Sequence, residues 1–534
     1  MHEILLLCLS LILSVSFLVV LSKKLKVAYP IFLVIAGLVI SFIPGIPDVQ
    51  INPDLVFLII LPPVLYDAAQ NTSWKALWKW RRIIIVMALG FVLLTAGAVA
   101  WVSWLLIPGF TLAQGFLLGA IISPPDAAAA TSVLQFTKLP KGMVAILEGE
   151  SLLNDASSLV IFRFALAAII SSSFVWYNAA GGFVLVTLSG IAIGLVLGLV
   201  FYAIYRWVPT NSNLDIAFAL VLPYLIYLAA ETVHSSGVLA VVTGGLFISY
   251  KNHYVLSHSS RLKSNAVWPS IVFMLNAVVF FLIGLQLPGI IEGVKAVSMG
   301  EAFKIALIIT GVVILVRLVS ALFSAVFTKF ISRYITVAQN KPGWRNPVVL
   351  SWVGMRGVVS LASALSIPLM LNGHPFPNRN LILFITFMVI IITLVGQGFT
   401  LPLVIKWIKP GGLENEKTDE QQLLEIEMQL YSAAVAKLSD EYKTDLDNNT
   451  MLKSRHELFK YKVELFKASA NDAEKRAETN EMMQRFKKVM MEVMEHERTA
   501  LHTFRTNDAF DDDIIRIIEN RLDLEEERLQ EEGD

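Results

Sequence analysis

The chain has 534 residues, 55% of them hydrophobic and 16% charged, with 43 basic residues against 43 acidic. A mean hydropathy of +0.64 excludes an ordinary soluble enzyme. The neutrality hides an asymmetry: about 31 acidic and 18 basic residues follow position 413, so an apolar, basic first part precedes an acidic tail.

Residues 4–21 are apolar. They lack the basic leader and small-residue cleavage site of a signal peptide, and further apolar segments follow, so they read as a first membrane helix. The single cysteine, Cys8, lies in this run and has no partner for an intrachain disulfide. Segments of spanning length recur at 28–43, 53–69, 82–106, 111–135, 142–171, 179–205, 213–231, 236–250, 266–287, 300–328, 346–371 and 380–408. With the first they make about thirteen. Basic residues cluster after alternate spans: Lys23, Lys24 and Lys26; Lys75, Lys79, Arg81 and Arg82; Lys138 and Lys141; Arg206; Lys251, Arg261 and Lys263; Lys329, Arg333, Lys341 and Arg345. Lys295, Lys304 and Arg379 are the main exceptions. Basic loops stay cytoplasmic, which places the N-terminus outside and the tail inside.

Two spans are interrupted. One contains Ser123-Pro124-Pro125-Asp126, whose tandem prolines remove two backbone donors and disfavour helix before them. The other contains Gly354-Met355-Arg356-Gly357, between Pro347 and Pro368. Unwound backbone at membrane depth is tolerated only where it is buried in protein or lines a cavity. The breaks lie seven spans apart, so their helices run in opposite directions, as expected of an inverted repeat. The expected fold is an all-α polytopic membrane protein of about thirteen helices with inverted repeats and two crossed, broken helices. Residues 1–413 form the membrane domain, with a transport core over 82–171 and 300–408. A scaffold and dimer unit covers 1–69 and 213–287, and 179–205 is a linking span. Gly411 and Gly412 end this part. Residues 414–534 read as a cytoplasmic tail of amphipathic helices near 419–439, 451–469, 472–504 and 511–530.

Chemistry concentrates in Gly149-Glu150-Ser151-Leu152-Leu153-Asn154-Asp155. An unpaired carboxylate inside a membrane span costs about 2.5 kcal/mol or more. Ser151 and Asp155 share one side of a helix, as do Glu150 and Asn154. Asp126 can cap its broken helix; it can also face Asp155 across crossing helices. Two neighbouring carboxylates at low dielectric resist being ionised together. Such a pair binds a hard monovalent cation or a proton in alternation, with Ser151 and the Pro125 carbonyl completing an oxygen shell. Asn154 is expected to hold the unwound segment. Glu150 and Arg356 are expected to form a buried ion pair. Glu148 reads as a vestibule group, Asp67 and Glu231 as interfacial acids, and Arg163 and Arg317 as arginines that pair or snorkel. The eight histidines have no metal-ligand spacing, and there is no Walker loop.

These residues resemble the monovalent cation/proton antiporters, in particular the bacterial sodium/proton exchanger branch. The resemblance covers the membrane part and is carried by the 149–155 stretch, by Ser123-Pro124-Pro125-Asp126, by Gly354-Met355-Arg356-Gly357 and by Leu394-Val395-Gly396-Gln397-Gly398. It implies thirteen helices, a homodimer and elevator-like alternating access. It also implies that Asp155 is the exchange carboxylate, with Asp126 and Ser151 as ligands of Na+ and Glu150 close by. Asn before the key Asp, as at Asn154, implies electroneutral exchange. The sequence departs from the family at Pro125 and Ala127, where Thr and Pro are common, and this bears on the choice between sodium and potassium. The expected function is exchange of one cytoplasmic Na+ for one external H+ across the plasma membrane, with K+ or Li+ as alternative cargo. A channel and a membrane hydrolase with Ser151 as nucleophile are the rivals from other classes; no His or Lys at helical spacing offers that serine a base. No cofactor and no nucleic-acid partner are expected.

Overall fold

The computed structural model describes residues 2–44, 56–134, 137, 139–171, 176–294, 298–332, 343–371, 373–411, 419–471, 473–505 and 510–531. Lys138, Lys295, Arg333, Lys341 and Gly412 lie outside these, as does the side chain of Cys8. The chain separates into two units, Met1–Leu413 and Glu414–Asp534.

The first unit is helical: α1 (His2–Lys24), α2 (Tyr29–Ser41), α3 (Val56–Asn71), α4 (Trp74–Leu106), α5 (Leu112–Ile122), α6 (Ala127–Leu134), α7 (Lys141–Ser171), α8 (Trp176–Trp207), α9 (Ser212–Thr232) and α10 (Gly237–Val255). It continues through α11 (His258–Leu285), α12 (Leu287–Gly293), α13 (Met299–Ile331), α14 (Arg345–Trp352), α15 (Val358–Leu365) and α16 (Arg379–Ile408). Among the described residues eight helical segments are long and apolar enough to cross a bilayer, the α5–α6 segment counted as one, and α2 and α3 are shorter apolar helices. The protein is therefore a multi-pass membrane protein.

Local chemistry explains several boundaries. Thr111 and Gln114 form a reciprocal capping box at the start of α5. Ser73 caps α4 by accepting from the Ala76 amide, so this helix begins eight residues before the apolar run. Lys75, Lys79, Arg81 and Arg82 consequently sit in an amphipathic first section of α4 rather than in a loop, with the Arg81 guanidinium 4.4 Å from the Trp78 ring. The span expected over 346–371 ends at Leu365. Pro368 bars helix there, and a small ribbon follows, Met370–Leu371 paired with His374–Pro375. Its turn uses Gly373 at φ +82°, a conformation that side chains rarely adopt.

Packing forms two apolar clusters. The larger gathers residues from α1, α2, α4 to α6 and α11 to α16; the other centres on α3, α8, α9 and α10. Helix α7 belongs to both, through Ile146, Leu147 and Phe162 on one side and Leu152 and Ala156 on the other. This puts the 149–155 stretch at the seam. Helices α4 and α5 approach closely because Gly115 and Gly119 face the backbone of Ala100 and Ala96; a Cβ on either glycine would come within 2.7 Å of it.

The second unit holds α17 (Asp419–Glu441), α18 (Lys443–Asn448), α19 (Thr450–Asn471), α20 (Ala473–Arg505) and α21 (Asp512–Glu531). Tyr431 of α17 stacks near Phe459 and Phe466 of α19, and Leu501, Ile515 and Leu522 form a small core between α20 and α21.

Candidate functional site

The two interruptions fall where the prolines and glycines put them. Helix α5 ends at Ile122 and α6 begins at Ala127; α14 ends at Trp352 and α15 begins at Val358. The interruptions satisfy one another's backbone. The Asp126 amide donates to the Met355 carbonyl at 2.7 Å. The Asp126 carboxylate accepts from the Ala128 and Ala129 amides at 2.8 and 3.4 Å, so it does cap α6. Gly357 lies against that carboxylate so closely that a Cβ there would overlap it.

Helix α7 crosses this region unbroken and ties into the first interruption. Ser151 Oγ accepts from the Ala127 amide at 3.3 Å, and Asn154 Nδ2 donates to the Pro125 carbonyl at 3.2 Å. A carbonyl has a second lone pair and a serine hydroxyl keeps its own donor, so both retain capacity for another partner. Asn154 is fully buried, as a residue that positions backbone needs to be.

The expected pairing of Glu150 with Arg356 is not what forms. Glu150 is held by Arg317 of α13, with both terminal guanidinium nitrogens donating to the carboxylate at 2.6 and 2.9 Å. Both side chains are buried, at 1% and 3% exposure. Arg356, equally buried, spends its side-chain donors on backbone. Its Nε reaches the Ile122 carbonyl at 3.0 Å, its Nη1 reaches the Gly354 carbonyl, and its amide donates to Thr393 Oγ1 at 3.2 Å. The physical reason is supply and demand. Two broken helices leave carbonyls without intrahelical donors, and the arginine inside the break is the nearest source. Arg317 can reach Glu150 because its side chain passes over Gly354, where a Cβ would come 2.5–2.6 Å from it.

A cavity of about 400 Å³ opens beside these elements. It is lined by Asp126, Ser151 and Asp155, with Pro125 beside them, so the residues singled out from the sequence do share one space. Among the described residues, no group donates a hydrogen bond to the Asp155 carboxylate. Glu148 lines the same cavity, and so does Asp67 of α3, which the sequence reading placed at an interface. Asp67 accepts from Asn71 Nδ2 at 3.0 Å. One signal pointed to it: an acid after an apolar run, in a part of the chain with about 12 acidic residues. Arg163 finds its partner in Glu231, at 2.7 and 2.8 Å, away from the cavity lining and partly exposed. Among the described residues no cluster of three His, Cys, Asp or Glu side chains would hold a resident metal. Where Asp126 and Asp155 lie in this cavity, the nearby oxygens are two carboxylates and the neutral Ser151 hydroxyl and Pro125 carbonyl, a set suited to a hard cation of low charge.

Comparison with known proteins gives the family and the fold. An uncharacterised Na+/H+ exchanger of Mycobacterium tuberculosis (strain H37Rv) is 32% identical over 522 residues, covering 96% of this chain and 94% of that one. The sodium, potassium, lithium and rubidium/H+ antiporter of Bacillus subtilis is 34% identical over 385 residues, 70% of this chain and 57% of the relative. The fold matches the sodium proton antiporter MjNhaP1 of Methanocaldococcus jannaschii with a TM-score of 0.61 at 18% identity, over 77% of this chain and 100% of that structure. Residues 10–407 match the family described as "Sodium/hydrogen exchanger, transmembrane". With interrupted helices, a buried acid on an unbroken one and this family match over most of its length, the chain belongs to the sodium/hydrogen exchangers, which are cation/proton antiporters and not enzymes.

Proposed function

We propose that the protein exchanges one cytoplasmic Na+ for one external H+ at Asp155. The observation that carries this is the setting of that residue: a buried carboxylate that accepts no hydrogen bond among the described residues, sharing a cavity with the carboxylate of Asp126. Asp126, Ser151 and the free lone pair of the Pro125 carbonyl would complete the oxygen shell around Na+. A proton on Asp155 removes the charge that holds the cation, so one site serves either ion and not both. Asn154 and Arg356 keep the interruptions in shape, and Glu150 is neutralised by Arg317, so none of the three needs to bind cargo.

The cavity reaches the exposed residues Ala68 and Asn71 at the C-terminal end of α3. The basic residues from Lys75 to Arg82 follow that end, and basic segments stay cytoplasmic. The described form is then open to the cytoplasm, with the N-terminus outside and the tail inside. Thirteen spans, an inverted repeat with crossed broken helices, a homodimer in the plasma membrane and an elevator-like movement of 82–171 and 300–408 complete the reading.

A 1:1 exchange moves no net charge. The proton gradient alone drives it, at about 1.36 kcal/mol per pH unit, so one unit supports about a tenfold sodium gradient. The Bacillus subtilis relative is named for four cations, which keeps K+ and Li+ as alternative cargo. A panel of sodium, potassium and lithium salts in a proton-flux assay decides among them. Asp155→Asn is expected to abolish exchange in proteoliposomes while the protein still folds; full exchange by that variant would end the proposal. A rate that changes with imposed potential would remove the electroneutral part, and steep currents without proton coupling would favour a channel.

A further inference from the structure

In the tail unit, α20 and α21 form an antiparallel hairpin. Lys487 Nζ donates to the Gln530 carbonyl at 2.8 Å, and Arg498 reaches Asp523 and Glu526 at 2.6 Å each. Leu501, Ile515 and Leu522 are buried where the helices meet. Each helix also carries a second apolar stripe. On α20 it is Phe486, Val489 and Val493; on α21 it is Ile514, Ile517 and Leu524. All six are 43–59% exposed.

At about 100° per residue, the second stripe lies roughly 90° round α20 and roughly 140° round α21 from the buried one, in the same rotational sense. Sense reverses between antiparallel helices, so the two stripes point the same way and make one face of the hairpin. The Lys487–Gln530 and Arg498–Asp523 contacts fix the register, which sets Val493 level with Leu524. An uncovered apolar face built from two helices is a docking surface.

Charge selects its occupant. The tail carries about 31 acidic and 18 basic residues, which disfavours an anionic bilayer. The face itself carries both signs. Glu497 borders the α20 stripe and Arg521 sits in the α21 stripe, and neither makes an ion pair among the described residues. A surface that joins its own copy needs both signs, because each patch meets itself turned round.

We propose that this face packs against the same face of a second copy of the chain, forming a four-helix bundle around a two-fold axis parallel to the helices. That operator lays α20 of one copy over α21 of the other at the same height. Val493 then meets the partner's Leu524, and Glu497 meets the partner's Arg521. The bundle joins two tails independently of the transport chemistry.

The test uses the full-length protein, in detergent and in nanodiscs, with Cys8→Ser as background. Val493→Cys treated with a short bismaleimide is expected to give a covalent dimer. Glu495→Cys, on the other side of α20, is expected to give none. Adding Ile517→Glu to Val493→Cys should remove most of the cross-link. Glu497→Arg should weaken it, and Arg521→Glu in the same chain should restore it. Absence of the dimer, or equal cross-linking from positions 493 and 495, would overturn the proposal. So would protection of the introduced thiol only when anionic lipid is present, which would assign the face to lipid.

Discussion

The pairing of Glu150 with Arg317 makes a quantitative claim about the membrane unit. Two parallel hydrogen bonds of 2.6 and 2.9 Å join side chains that are 1% and 3% exposed. Removing one partner leaves a buried charge uncompensated, at a cost of about 3–5 kcal/mol. Replacing both with uncharged groups of similar size removes the charge problem with the pair, so the double variant should cost much less than the two single costs added together. Glu150→Gln and Arg317→Met are therefore expected to destabilise by about 3–5 kcal/mol each. Their combination should show a coupling of about 2 kcal/mol or more in a double-mutant cycle. Unfolding free energies measured in mixed micelles give all four corners of the cycle. The same cycle run with Arg356→Met should show the smaller coupling, because Arg356 donates to carbonyls and not to Glu150. Additive effects for Glu150 and Arg317, or a larger coupling with Arg356, would refute the reasoning and return Arg356 to the role the sequence suggested.

Asp126 caps α6 and, in the proposed exchange, also binds the cation, and Asn can do only the first. Asp126→Asn keeps an oxygen for the Ala128 and Ala129 amides and is expected to fold normally but lose most exchange, whereas Asp126→Ala should lose exchange and about 1 kcal/mol of stability as well; equal stability of the two variants would count against the cap. Gly357→Ala places a Cβ against the Asp126 carboxylate and is expected to reduce exchange strongly at a stability cost of about 1–3 kcal/mol, so an active variant would mean the interruptions are looser than described. Arg163→Ala removes a partly exposed pair and should cost less than about 1 kcal/mol by thermal unfolding; a larger loss would make that pair a structural lock.

The membrane part was legible because its signals are local. Proline pairs, glycines and apolar runs set most helix ends within a few residues, though α4 and α11 begin eight residues before their apolar runs, and Asp126, Ser151, Asn154 and Asp155 stood out because so few polar groups surround them. Partner choice was not legible. Glu150 had two arginines within reach of a plausible fold, Arg317 and Arg356, and the decision depended on the clearance over Gly354 and on which carbonyls lacked donors. Both are properties of packing across elements roughly 170 to 230 residues apart. That Asp67 also lines the cavity was hidden for a related reason: its distance from a helix end is visible in the sequence, but the cavity that turns toward it is not.

The interruptions solve two problems with one set of atoms. Broken helices expose backbone donors and acceptors that a bilayer cannot satisfy. Here most of the partners named come from the other interruption or from α7: Asp126 and Met355, Arg356 and Ile122, Asn154 and Pro125, Ser151 and Ala127. The same bonds fix the oxygens around the cavity. Asp126 is partly answered by the start of α6, where a negative charge is favourable. Asp155 sits mid-helix, with no such terminus and, among the described residues, no hydrogen-bond donor. Of the two carboxylates, Asp155 is thus the one whose charge must be met by something that enters the cavity. A residue in that position is one that two different ions can compete for without disturbing the scaffold that holds it.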